Sequence, residues 1–173
     1  MTGARRSRRD FVLALARLAG AAPAALHVIG GAPAAAGEDA DMAILYAAIG
    51  MEQQAIDLYE RGVDGGMFAG RYRDLAAAFR GDHVGHRDTQ IQIARERGGR
   101  APDEERRYPY RPRGEAEAWI REALRMELAA EDAYSTVLRR IDDADQRLAA
   151  AYILVDEVQH LTVWREVLGV RLY

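Results

Sequence analysis

The sequence predicts an all-α protein: a four-helix bundle built from two antiparallel helical hairpins joined by a long crossover. Three observations support this. Proline is absent between Gly37 and Pro102 and again from Arg113 to the end. Over both stretches apolar residues recur at three- and four-residue spacing, the period of a helix with one buried face. Glycine and aspartate breaks then cut the pattern into four long segments.

The chain opens with a segment of another kind. Residues 1–37 hold five arginines and one acid, a net charge of +4 in a chain whose total is −3, which leaves −7 for the rest. Ser7-Arg8-Arg9-Asp10-Phe11-Val12-Leu13 leads into an apolar run that extends to about Ile29, broken by Arg17 and Pro23, and the segment closes on Ala34-Ala35-Ala36-Gly37. A basic start, an apolar middle and a small-residue exit have the layout of a secretory signal. The paired arginines followed by Phe11 and an apolar run resemble the twin-arginine export signal. Residues 1–36 are therefore expected to be a signal peptide cut after Ala36, with 37–173 as the mature domain. The resemblance implies a periplasmic or otherwise exported protein that meets the membrane only through this signal. As a permanent transmembrane span the run is too interrupted.

The helices follow in order. Ile44, Leu45, Ala48, Ile49, Ala55, Ile56 and Tyr59 set the first at about 39–62, stopped by Gly62 and Gly65-Gly66. The second is expected at about 68–97, ending at Gly98-Gly99. Residues 100–114 are basic, contain Pro102, Pro109 and Pro112, and form the long connection; Tyr108 and Tyr110 within it are expected to pack along the outside of the bundle. The third helix is placed at about 115–140 and the fourth at about 144–168, before Gly169. Short turns make antiparallel neighbours, and the long connection allows a crossover. Asp39, Asp41, Asp142, Asp143 and Asp145 read as solvated helix-start charges.

The two predicted hairpins repeat each other. Met51-Glu52 is followed by Tyr59, and Met126-Glu127 by Tyr134 at the same interval. Asp82-His83-Val84-Gly85-His86 on the second helix matches Asp156-Glu157-Val158-Gln159-His160 on the fourth. His83 and His86 share a helix face, as do Glu157 and His160. These polar residues fall in the apolar stripe, where an unpaired carboxylate costs several kcal/mol, about the scale that only protons, ion pairs or metal ions offset. Tyr59, Tyr134 and Trp164 read as core packing.

The arrangement resembles the di-metal pattern of the ferritin-like superfamily, in which two helices each give one Glu and the other two each give Glu-x-x-His. The resemblance covers about residues 39–169. It implies a metal site made of Glu52, His86, Glu127, Glu157 and His160, holding iron or manganese as one or two ions, with zinc also open. The chain departs from the pattern at His83, a sixth candidate ligand, which stands where the family has a bridging glutamate. Asp82 is no ready substitute, being rotated about 100° around the helix. A neutral His83 leaves two divalent ions facing three carboxylates, which favours the divalent state, an added anion or a single ion. Glu131, one turn after Glu127, is a further ligand or an acceptor for an imidazole N–H.

Composition removes other classes. With no cysteine there is no disulfide, thiolate zinc site or iron–sulfur cluster, and with no lysine no Schiff base or P-loop lysine. The net charge of −3 argues against nucleic-acid binding. The resemblance implies oxygen or peroxide chemistry or ferrous-iron oxidation; the alternative is a non-catalytic metal-binding or structural bundle that protects the cell envelope. Without a fifth helix after Gly169, a monomer or homodimer is expected.

Overall fold

The computed structural model describes residues 38–100 and 115–170. The expected signal at 1–36 and the tyrosine–proline stretch at 108–113 lie outside the described residues. Among the described residues there are four helices: α1 (Glu38–Asp64), α2 (Arg71–Glu96), α3 (Ala116–Val137) and α4 (Ala144–Val167). No strand occurs among the described residues, so the fold is all-α as the periodicity predicts. With 27 residues, α1 is about 40 Å long. Among the described residues no helix is long and apolar enough to cross a membrane.

Local chemistry sets the helix ends. Beyond α1 the chain turns on Gly66, whose φ of 69° suits a residue without Cβ. The second helix begins at Arg71, three residues later than its apolar pattern suggests, because Phe68 turns inward from the loop and is 1% exposed. At the other end of α2 the Gly99 N–H closes on the Ala94 carbonyl at 2.8 Å. Asp143 caps α4 by accepting from the Gln146 N–H at 2.8 Å.

Each hairpin packs on itself, and the two hairpins meet through α1 with α3 and α2 with α4. One end of the bundle is aromatic: the Phe68 ring stacks on Trp164 at 5.7 Å and meets the Trp119 edge at 6.4 Å. The other end is polar. There the Asp41 carboxylate accepts from the N–H groups of Asp142 at 3.1 Å and Asp143 at 2.8 Å, while Arg97 donates to Gln146 at 2.6 Å. Trp119 starts α3 at the aromatic end and Arg97 ends α2 at the polar end, the arrangement a crossover requires.

Asp41 corrects the sequence reading. It is 1% exposed, not a solvated charge, and it holds the start of α4 against the start of α1. Three apolar clusters result among the described residues, one around Tyr59, Phe68, Phe79, Trp119 and Trp164, one around Ile44, Ala130, Tyr134, Val137 and Ile153, and a smaller one of Leu45, Ile49, Ile91 and Ala94. A layer of buried polar side chains from all four helices lies among them.

Candidate metal centre

All six residues singled out by the repeat meet in this layer. Glu52 comes from α1, His83 and His86 from α2, Glu127 from α3, and Glu157 and His160 from α4; none is more than 7% exposed. Their donor atoms form two groups of four. Glu52, His83, His86 and Glu157 make one, and His83, Glu127, Glu157 and His160 the other, with the donor atoms in each group within 4.8 Å of one another. His83 and Glu157 belong to both. Glu131 belongs to neither.

The distances define the arrangement. His86 Nδ1 lies 3.4 Å from Glu157 Oε1 and 3.6 Å from Glu52 Oε2. His160 Nδ1 lies 3.6 Å from Glu127 Oε2. His83 places Nδ1 2.7 Å from Glu52 Oε2 and 3.7 Å from Glu157 Oε1, and Nε2 3.4 Å from Glu127 Oε1.

Around the six lies a second set of residues whose roles the sequence reading missed. The His86 Nε2–H donates to Asp156 Oδ2 at 3.1 Å, and the His160 Nε2–H donates to Asp82 Oδ2, also at 3.1 Å. Asp82 therefore turns away from the donor groups, as its helical angle requires, and orients the imidazole of the opposite hairpin; Asp156 returns the arrangement. Each aspartate fixes the tautomer that leaves Nδ1 with a free lone pair facing inward.

The tyrosines cross in the same manner. The Tyr59 hydroxyl donates to Glu127, and the Tyr134 hydroxyl to Glu52. Each hydroxyl in turn accepts a bond, Tyr59 from the Trp164 indole N–H at 2.7 Å and Tyr134 from the Gln90 amide at 2.6 Å. These residues pack in the core as expected, but they also orient the carboxylates. The equal intervals Glu52–Tyr59 and Glu127–Tyr134, and Asp82–His86 and Asp156–His160, were the available signal. What each residue reaches lies across the bundle, which intervals along the chain do not show.

The charges settle unevenly. Burial alone raises the Glu52 pKa, but the facing imidazoles of His83 and His86 outweigh it and bring the carboxyl to about 2. Glu127 is likewise held well below the usual carboxylate range, chiefly because the charge of His83 overcomes burial. Glu157 goes the other way: burial, added to the charges of Glu127 and Glu52, raises it well above that range despite the pull of His83. For His83 burial works downward, yet the charges of Glu127 and Glu157 carry it well above its usual value. Burial, then the carboxylates they face, push Tyr59 and Tyr134 well above the usual phenol value, so both remain donors.

The donor set fits a metal ion. His86 Nδ1, His160 Nδ1, Glu127 Oε2 and both Glu157 oxygens are buried without a hydrogen-bond partner. An orphaned polar atom in a core costs about 1–3 kcal/mol, and five directed at one small volume call for an occupant that takes lone pairs. Oxygen and imidazole donors without sulfur suit iron, manganese or zinc.

A model of the ferritin-like domain family matches residues 40–170. The chain belongs to the ferritin-like domain family. No curated protein matches its sequence at a significant level. Its fold is similar to the crystal structure of a conserved hypothetical protein, rv2844, from Mycobacterium tuberculosis. The two are 26% identical with a TM-score of 0.66, and the match covers 79% of this chain and 96% of that one. In this ferritin-like domain the six buried residues fall into the two donor groups, with His83 and Glu157 common to both.

Proposed function

We propose that this ferritin-like protein is an exported metalloprotein whose bundle centre holds iron or manganese, as one or two ions, and serves oxygen, peroxide or ferrous-iron oxidation chemistry. The observation that carries the metal reading is the convergence of five unpartnered, buried lone-pair atoms from α2, α3 and α4 within the two donor groups. A redox-active ion bound there would supply electrons one at a time to a small oxidant. The chain's own residues do the rest. Glu52 and Glu127 furnish charge, Glu157 furnishes oxygens shared by both donor groups, and Nδ1 of His86 and His160 furnish neutral donors. Asp82 and Asp156 keep those rings in one tautomer, and Tyr59 and Tyr134 hold Glu127 and Glu52 in one rotamer. The near-complete burial of all six residues excludes bulk water and limits substrates to small molecules.

Elemental analysis of protein folded in its own cytoplasm, followed by oxygen and peroxide consumption with ferrous-loaded protein, tests this reading. Bound iron or manganese with turnover supports it. Bound metal without turnover favours an inert metal-binding bundle, and absence of metal removes the reading altogether. Export rests on Ser7-Arg8-Arg9-Asp10-Phe11 and is tested separately. Arg8→Lys with Arg9→Lys keeps the charge but loses the guanidinium fork, and is expected to leave the protein in the cytoplasm.

A further inference from the structure

His83, which belongs to both donor groups, faces their two glutamates with different atoms. Nδ1 faces Glu52 and Nε2 faces Glu127, at 2.7 Å and 3.4 Å. As a ligand His83 must be a neutral imidazole, with one N–H and one lone pair, so it cannot serve both sides at once. The short contact decides which side keeps the proton. Glu52 Oε2 accepts at 2.7 Å, a good hydrogen bond, whereas 3.4 Å to Glu127 is a weak one. The retained N–H therefore stays on Nδ1, and the lone pair on Nε2 is left for the group on the Glu127 side.

The carboxylates are unequal in the same sense. Both oxygens of Glu52 are already engaged, Oε1 by the Tyr134 hydroxyl and Oε2 by His83. In Glu127 only Oε1 is engaged, by Tyr59 and weakly by His83 Nε2, and its Oε2 has no hydrogen-bond partner, nor has His160 Nδ1. On the Glu52 side, His86 Nδ1 is the only unpartnered atom apart from the shared Glu157.

We propose that the two ion positions are unequal and that His83 makes them so. The first ion is held by Glu127, Glu157, His160 and His83 Nε2, while the second, at Glu52, His86 and Glu157, competes with the His83 N–H for a carboxylate whose two oxygens already accept hydrogen bonds. This rests on the metal-binding reading above and adds an order of filling to it. Competition with a hydrogen bond to a charged group weakens the second step by about 10- to 100-fold relative to the first.

The test is titration of the metal-free protein with manganous ion, following free manganese by its magnetic resonance signal, with folding of every variant checked by circular dichroism. Wild type is expected to show one tight step and one weaker step. Glu127→Gln should remove the tight step. Glu52→Gln should remove the weak step and keep the tight one. His83→Glu, which supplies a carboxylate in place of the ring and releases Glu52, should bring the two steps together. Equal affinity for two ions in wild type overturns the proposal, as does loss of the tight step in Glu52→Gln. Either result leaves the metal site itself standing, whereas a wild-type protein that takes up no ion overturns both.

Discussion

The two hairpins of this bundle are near copies that differ at a few places, and the differences decide more than the matches. Glu52 and Glu127, Tyr59 and Tyr134, Asp82 and Asp156, and His86 and His160 form four equivalent pairs. Within each hydrogen-bonded link the partner belongs to the other hairpin. This reciprocity explains why neither hairpin completes the centre alone: each supplies carboxylates and rings that the other orients. The unmatched positions break the symmetry. His83 faces Glu157, and Gln90 stands behind one tyrosine where Trp164 stands behind the other. Gly62 and Val137 also occupy matching places. Gly62 admits Phe68 to the aromatic end, whereas Val137 is an ordinary member of the opposite apolar cluster. A duplicated pattern fixes where donors go, and the exceptions give the two halves different chemistry and different packing.

The comparison breaks most completely at Glu157, which belongs to both donor groups. Glu157→Ala is expected to lower metal content to background, an effect of more than about 100-fold in affinity because a carboxyl ligand common to both positions is lost. Elemental analysis of the purified variant checks it, and retention of half the wild-type metal would show that one position does without Glu157.

A second measurement concerns the pH dependence of the metal-free fold. Glu52 has a folded pKa of about 2, below its unfolded value, so the stability it contributes is present above roughly pH 4.5 and lost as pH falls toward 2. The shift corresponds to about 3 kcal/mol. His83 has the opposite sign: its raised pKa contributes stability that is present below its unfolded value near pH 6.5 and lost as pH rises through the folded value. Denaturant melts of the metal-free protein should thus show greatest stability in mildly acidic solution. Glu52→Gln should flatten the acid limb, and an unchanged limb would show that Glu52 is not the group responsible.

Asp82→Asn and Asp156→Asn sharpen the comparison, because the two aspartates do the same work on opposite hairpins. Each substitution is expected to weaken metal binding by about 10- to 100-fold, since the imidazole loses the acceptor that fixes its tautomer. With unequal positions, Asp82→Asn acts through His160 on the first ion and Asp156→Asn through His86 on the second, so calorimetric titration should resolve them as losses at different steps.

The smallest effect lies at the packing difference. A Cβ on Gly62 would collide with the Phe68 ring and come within 3.1 Å of Trp119. Gly62→Ala is expected to destabilise the fold by about 1–2 kcal/mol through displacement of Phe68, with little effect on metal content. A thermal melt reads it directly.

Much of this protein follows from its sequence. Helical periodicity, the placement of proline and the glycine breaks determine four helices to within a few residues, because a buried stripe on a helix leaves a regular record along the chain. The six polar residues of the centre are also legible, since charge inside an apolar stripe at matching intervals in two halves demands a partner. Tertiary structure alone decides which atoms face one another. Asp82 and Asp156 are neighbours of the centre in sequence but orient the opposite imidazoles, and Tyr59 and Tyr134 pack as core residues while donating across the bundle. Asp41 looks like an exposed helix-start acid until α4 brings two backbone N–H groups onto it. The asymmetry of His83 is of the same kind. The sequence shows a histidine where the other hairpin has Glu157, but only the packing of four helices puts Nδ1 on Glu52 and Nε2 toward Glu127. Helical periodicity is a property of one segment, whereas a hydrogen bond between hairpins depends on how helices far apart in the chain are rotated against each other.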